Sequence, residues 1–184
     1  MNAARGVHMN VVMIAMRMRQ QNRVDVMDTL PNQRSSVLEN VLVGRLGATA
    51  SWRVVTRTFT REDRNRAIAA LERGGLADLA EQRADPLSGG QQQRVAIARA
   101  LAQHSRYVFA DEPIASLDPV SSRTVLAELK TIAHEDGLAL LCSLHQVEFA
   151  TAYADRIIGM LNGEIVADMR AGAFDAAQFE AIYG

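Results

Sequence analysis

The chain has 184 residues, 48 % of them hydrophobic, and its 20 basic and 21 acidic side chains leave a formal net charge of −1. That balance gives no basic footprint for nucleic acid. The single cysteine excludes an internal disulfide framework, the length suits one domain, and no apolar run is long enough to span a bilayer.

Residues 1–35 stand apart in composition. They hold six of the eight methionines and five arginines against two acids, whereas the remainder is net acidic. Within them MNVVMIAM at 9–16 predicts a strand; it lacks the small-residue cleavage site of a signal peptide. From 36 to 105 the pattern is mostly helical. SVLENVLVGRLG occupies 36–47, and Trp52 in SWRVV reads as a packing residue. Thr60 with Asp63 forms a capping box ahead of a helix in which Ala67, Ile68 and Leu71 recur at helical spacing, and Gly74 and Gly75 end it. Residues 87–94 read LSGGQQQR: Ser88 is a helix N-cap, followed by two glycines and then the helix-forming run VAIARALA. Such a start points backbone N–H groups outward beside the positive end of a helix dipole, and Gly89 and Gly90 let a phosphate approach closely.

The next run, YVFADE at 107–112, predicts a strand buried on both faces of a parallel sheet with Asp111 and Glu112 at its C-terminal tip. Pro113 stops it, and SLDP at 116–119 predicts a tight turn opening a helix at about Ser121. LALLCS at 138–143 is a second apolar strand, with Cys142 buried inside it and His145 just beyond. RIIGMLNGEIVAD predicts a hairpin turning at Asn162-Gly163, and a short helix is expected from Gly172 onward. His8, His104 and His134 read as isolated surface residues. Apolar strand, polar tip and helix, repeated, is the rhythm of a doubly wound α/β domain whose ligand lies at the C-terminal ends of the strands.

This ordered set resembles the nucleotide-binding subunit of ABC transporters. LSGGQQQR is similar to the family signature, VFADE to Walker B with the catalytic glutamate, SLD to the D-loop, and His145 to the switch histidine. The resemblance covers residues 36–168, and the wording of 36–47, 59–76 and 143–166 is most similar to the phosphonate-import ATPases. It implies an α/β P-loop NTPase fold, here incomplete, with a RecA-like parallel sheet core and a helical signature subdomain. The corresponding divisions are an atypical N-terminal segment at 1–35, the helical subdomain at 36–105, the remainder of the core at 106–171 and a helical tail at 172–184.

The resemblance also implies an ATPase of an ABC importer, using ATP and Mg²⁺. Asp111 would hold the metal through water; Glu112 would orient or deprotonate the attacking water; and His145 would contact the γ-phosphate. Ser88, Gly89 and Gly90 would bind the γ-phosphate held by the opposite subunit of a head-to-tail dimer. Asp118 would cross that interface, and Gln91 would meet the ribose or the interface. Implied partners are membrane permease subunits, a second nucleotide-binding subunit and, indirectly, a periplasmic or lipoprotein solute-binding protein, with no nucleic acid. The implied location is the cytoplasmic face of the inner membrane.

One part of the family pattern is missing. The phosphate-binding loop GxxxxGK[ST] occurs nowhere in the 184 residues, and the only lysine is Lys130, downstream of the Walker B run. The resulting expectation is a chain that has lost its N-terminal portion through truncation, frameshift or a displaced start. Gln20, Gln21 and Gln33 are then candidates for the glutamine that touches metal and membrane subunit. Residues 107–110 would become an apolar sheet edge, covered by Val11–Met16. Asp111 and Glu112 would lack an offsetting cation, and two like charges about 4 Å apart repel by about 1 kcal/mol in water and about 4 at a protein surface. The isolated chain is therefore expected to bind ATP very weakly and to hydrolyse none. An alternative is a catalytically incompetent interaction module that supplies only the signature half-site. A chromosome or DNA-repair ATPase would need coiled-coil heptads or zinc cysteines, and the chain has neither.

Overall fold

In the computed structural model, residues 10–15, 24–27, 31–48, 58–161 and 164–175 are described. In chain order they form β1 (Asn10–Ala15), β2 (Val24–Met27), α1 (Val37–Val43), α2 (Arg61–Arg73), α3 (Gly89–Leu101), β3 (Tyr107–Ala110), α4 (Pro119–Asp136), β4 (Ala139–Leu144), α5 (Val147–Tyr153), β5 (Arg156–Leu161) and β6 (Glu164–Arg170). The strands make one sheet in the order β2-β3-β4-β1-β5-β6. β3 pairs in parallel with β2 on one side and β4 on the other. β1 runs antiparallel between β4 and β5, and β5 and β6 form the predicted hairpin, closing with Leu161 opposite Glu164. Its turn residues Asn162 and Gly163, together with His8, Gln20, Gln21, Trp52 and the tail beyond 175, lie outside the described residues.

Two expectations about the sheet are corrected. The edge of β3 is covered by Val24–Met27 and not by the expected Val11–Met16 segment, of which Val11–Ala15 pair on the far side of β4. Parallel pairing needs a long crossover, and the β2-to-β3 connection supplies one by carrying three helices. Nor is β3 buried on both faces. Val108, Ala110, Leu140, Cys142 and Leu144 are buried, whereas Tyr107, Phe109, Leu141 and Ser143 are half-buried. The buried row packs with Ile97 and Ala100 of α3, with Val125, Leu126 and Leu129 of α4 and with Ala150 of α5. Cys142 is fully enclosed there, and burial pushes its thiol up to about 12. His134 is not isolated: its Nε2 lies 3.4 Å from Asp155.

A second core belongs to the helices. Val37, Val41, Leu71, Leu76, Val95 and Ala98 are at its centre. Capping boxes start all three of its helices: Ser36 with Glu39, Thr60 with Asp63, and Ser88 with Gln91. Asn40, only 3 % exposed, is satisfied by donating to the carbonyls of Asn32 and Ser36 and accepting the Asn32 N–H at 2.7 Å, which ties the incoming chain to α1. Arg45 donates to Asp63 at 3.0 Å and to the Ala102 carbonyl at 2.9 Å, joining the start of α2 to the end of α3. Gly44 marks a close approach, since a Cβ there would lie 2.2 Å from the Arg99 carbonyl oxygen. Arg73 at the end of α2 pairs with Glu135 at 2.7 Å and with Asp136, linking helical part and sheet part at the surface.

Gly44→Ala should therefore destabilise the chain by about 3 kcal/mol, because backbone has to give way. Gly47→Ala, where a Cβ would meet nothing within 4 Å, should stay within about 0.5 kcal/mol. Urea unfolding of the pair checks this, and equal midpoints would contradict the close α1–α3 approach. Burial alone would raise the Asp63 carboxyl, but hydrogen bonds from Thr60 and Arg45 outweigh it and hold the group below its usual range. Its contribution is then present above the ordinary carboxylate range and disappears as pH falls through the lowered value. Asp63→Ala should cost about 3 kcal/mol at neutral pH, and progressively less in acid, by the same unfolding measurement.

Candidate active site

The β3–β4 register pairs Ala110 with Cys142, both buried. One residue further on, Asp111 and Ser143 are neighbours at the C-terminal end of the parallel strands. The Ser143 hydroxyl donates to Asp111 Oδ1 and accepts the backbone N–H of Glu112 at 2.8 Å. Glu112 stands in the left-handed region at φ 45°, a conformation that costs a non-glycine residue about 1–3 kcal/mol. From there its Oε1 meets His145 Nε2. Asp111, Glu112 and His145, chosen from the sequence, thus converge at one solvent-exposed place. Ser143 was not among them. The available signal was a lone hydroxyl in an otherwise apolar strand, two residues before the histidine.

The turn after Glu112 is held by backbone bonds from Ala115 to Glu112 and from Leu117 to Ile114, and it leads into a second group. Asp118 is the N-cap of α4: its Oδ1 accepts the amides of Val120 and Ser121 at 2.9 and 3.0 Å, and its Oδ2 accepts the Ser121 hydroxyl. Those bonds, the hydroxyl first, hold the Asp118 carboxyl below its usual range. The helix begins at Pro119, two residues earlier than expected, because Asp118 caps it and proline suits the first helical position. Against this turn lies the start of α3. A Cβ on Gly89 would come 3.2 Å from Leu117 Cδ2, the movable end of a side chain, and one on Gly90 would stay 3.7 Å from Ser121.

At that helix start Ser88 Oγ accepts the Gln91 N–H at 3.3 Å, and Gln91 Oε1 accepts the Ser88 N–H at 2.9 Å. Gln92 reaches back to the Leu87 carbonyl at 3.0 Å. The amides of Gly89 and Gly90 have no acceptor among the described residues. They point where an anion is stabilised by the helix terminus, and the Ser88 hydroxyl proton remains available to donate. The oxygen of Gln91 is occupied by the cap, leaving its NH₂ for other contacts. Gln33 is exposed and follows β2 after the short segment 28–32.

Mg²⁺ fits this donor set only in part. Among the described residues no three His, Cys, Asp or Glu side chains converge as a metal cage. Asp111 is exposed, with Oδ2 unpartnered among the described residues. One carboxylate completed by phosphate oxygens and water is a normal arrangement for this ion.

The mixed α/β sheet with paired acids and a histidine at its strand ends, and an open glycine-led helix start beside a capped turn, has the fold of solved ATP-binding cassettes. The sequence profile of the family described as ABC transporter matches residues 5–115, and the chain belongs to that family. It is 50 % identical over 150 residues to the phosphonates import ATP-binding protein PhnC of Escherichia coli O157:H7, covering 82 % of this chain and 57 % of that protein. The corresponding protein of Shigella boydii serotype 4 is 49 % identical over the same length. The chain thus spans little more than half the length of these curated relatives. Among solved structures, the ADP conformation of MJ1267, an ATP-binding cassette of an ABC transporter, superposes with a TM-score of 0.73 at 26 % identity, covering 88 % of this chain and 67 % of that one. The cassette MJ0796, solved as a dimer in a post-hydrolysis state with ADP and Pi, gives 0.65 at 29 % identity, covering 83 % and 65 %.

The Ser88 cap gives a check on this geometry. Ser88→Ala should lower stability by about 1 kcal/mol, while Ser88→Asn, which can still cap, should change it by a few tenths. Equal urea midpoints for the wild type and both variants would mean that the capping box is not formed.

Proposed function

We propose that this chain is a nucleotide-binding component of an ABC importer for phosphonates, acting in a head-to-tail pair with a second nucleotide-binding subunit beneath membrane permease subunits. A periplasmic or lipoprotein solute-binding protein would deliver the substrate. The observation that carries the reading is the pair Gly89 and Gly90. Two glycines in the first turn of a helix weaken it, and among the described residues the nearest neighbours of an added Cβ are the movable Leu117 Cδ2 at 3.2 Å for Gly89 and Ser121 at 3.7 Å for Gly90. Their open amides instead suit a phosphate brought from outside the chain. The relatives named for phosphonate import support the substrate class, and the cassette solved as a dimer with ADP and Pi supports a site shared by two chains.

ATP supplies the phosphoanhydride whose cleavage drives transport. On this chain, Ser88 Oγ and the amides of Gly89 and Gly90 hold the terminal phosphate of a nucleotide seated on the partner. Asp111 would hold Mg²⁺, which would offset phosphate charge there. Glu112 orients the attacking water and accepts its proton, and His145, bonded to Glu112, keeps that carboxylate aimed and contacts the γ-phosphate. Asp118 orders the turn between the two groups and brings it to the interface. Among the described residues no helix is long and apolar enough to cross a membrane, so attachment at the cytoplasmic face would run through the permease subunits.

A second reading is favoured by one observation: no P-loop lysine exists in the 184 residues, and Lys130 lies on α4. The chain then serves as the signature half-site alone, completing a site on a partner that has its own phosphate-binding loop. The two readings separate in one experiment. The purified chain should not bind a fluorescent ATP analogue at micromolar concentration or hydrolyse ATP. Added to a complete nucleotide-binding subunit whose own signature glycines are replaced, it should restore hydrolysis in proportion to its concentration, and Ser88→Asn should abolish that restoration. Micromolar nucleotide binding by the chain alone would defeat the half-site reading, and no restoration at any ratio would defeat both.

A further inference from the structure

The geometry points to Ser143 as a positioning residue that sets the backbone of Glu112. Four polar groups form a chain at the ends of β3 and β4: Asp111, Ser143, the Glu112 amide and, through its carboxylate, His145. The directions in that chain are fixed by chemistry. An amide N–H can only donate, so Ser143 Oγ accepts from Glu112; the hydroxyl proton is then committed to Asp111, whose ionised carboxylate can only accept. A bond to an ionised acceptor is the stronger kind, and it polarises the hydroxyl oxygen toward the incoming amide.

The consequence lies in the backbone. Glu112 occupies φ 45°, a region that its side chain disfavours, and the residue after it is a proline, Pro113. The Glu112 amide is beyond the last β3–β4 pair, so the sheet ladder does not hold it. Ser143, one position beyond the last paired residue of β4, holds it instead. With φ positive, the Glu112 carboxylate meets His145; released to an ordinary negative φ, the side chain would leave on a different vector. Ser143 thus acts on the acid through the peptide bond, while touching neither water nor phosphate in the reading above. Its hold on the Glu112 amide and its aim of the Glu112 carboxylate toward His145 are both properties of this chain alone.

Two measurements test the two statements separately. In the nucleotide-free wild-type chain, amide hydrogen exchange followed by nuclear magnetic resonance should show the Glu112 amide protected at least tenfold over its unstructured rate. Ser143→Ala should remove that protection while the Cys142 and Leu144 amides in the strand stay protected, and Ser143→Thr, which keeps the hydroxyl, should retain it. An unprotected Glu112 amide in the wild type overturns the inference even if the alanine variant fails to fold, and so does a Glu112 amide in folded Ser143→Ala that exchanges as slowly as in wild type. The ring resonances of His145, which meets the Glu112 carboxylate, should shift in Ser143→Ala and return toward wild type in Ser143→Thr. Unmoved His145 resonances in folded Ser143→Ala overturn the claim that the serine aims the carboxylate.

Discussion

The parallel ladder between β3 and β4 is the constraint on which the acid site depends. Its final pair, Ala110 and Cys142, is buried beneath α3, α4 and α5, where polar side chains could be kept only with partners. The next residues on the two strands are Asp111 and Ser143, set side by side by that register and already at solvent. Glu112 and His145 follow within two positions. A one-residue slip of β4 would turn Cys142 toward the half-buried face and Ser143 into the core. The register that fills the core therefore also assembles the polar circuit.

Helix α3 ties the second group to the same frame. Ile97 and Ala100 pack in the core beneath the sheet, whereas Val95, Ala98 and Ala102, just beyond its end, belong to the helical core. One rigid element therefore belongs to both halves, and its first turn carries the open amides of Gly89 and Gly90. Any displacement of the helical half relative to the sheet would move those amides with it. Arg45 and Arg73 brace the arrangement from either end of α2, the first with a buried carboxylate and the second with exposed ones. Exposed pairs of this kind contribute little to stability, so the buried Arg45–Asp63 contact and the Gly44 approach hold α1, α2 and α3 together.

Much of this was legible in the residues because the signals are local. Ser88 before two glycines, Thr60 with Asp63, and an apolar run ending in paired acids each specify a short structure by themselves, and each was found where the wording put it. The capping role of Asp118 was one step less visible: SLDP announced a turn, but the turn and the helix N-cap are the same residue. What escaped was set by contacts distant in sequence. The pairing of Val24–Met27 with β3 brings Val24 to Tyr107, far along the chain, and the half-burial of Phe109 and Leu141 depends on where the helices lie.

By itself, the sequence determined the family, the three helix starts in the helical half and the positions of the acids, the histidine and the paired glycines. Side-chain type and spacing are enough to encode those. Only the tertiary structure decided that β1 is inserted antiparallel between β4 and β5, that Gly44 faces the Arg99 carbonyl and that Ser143 holds Glu112 in the left-handed region. Each of these is a meeting of groups distant along the chain, and a hydrogen bond across 31 residues leaves no periodicity for a sequence to display.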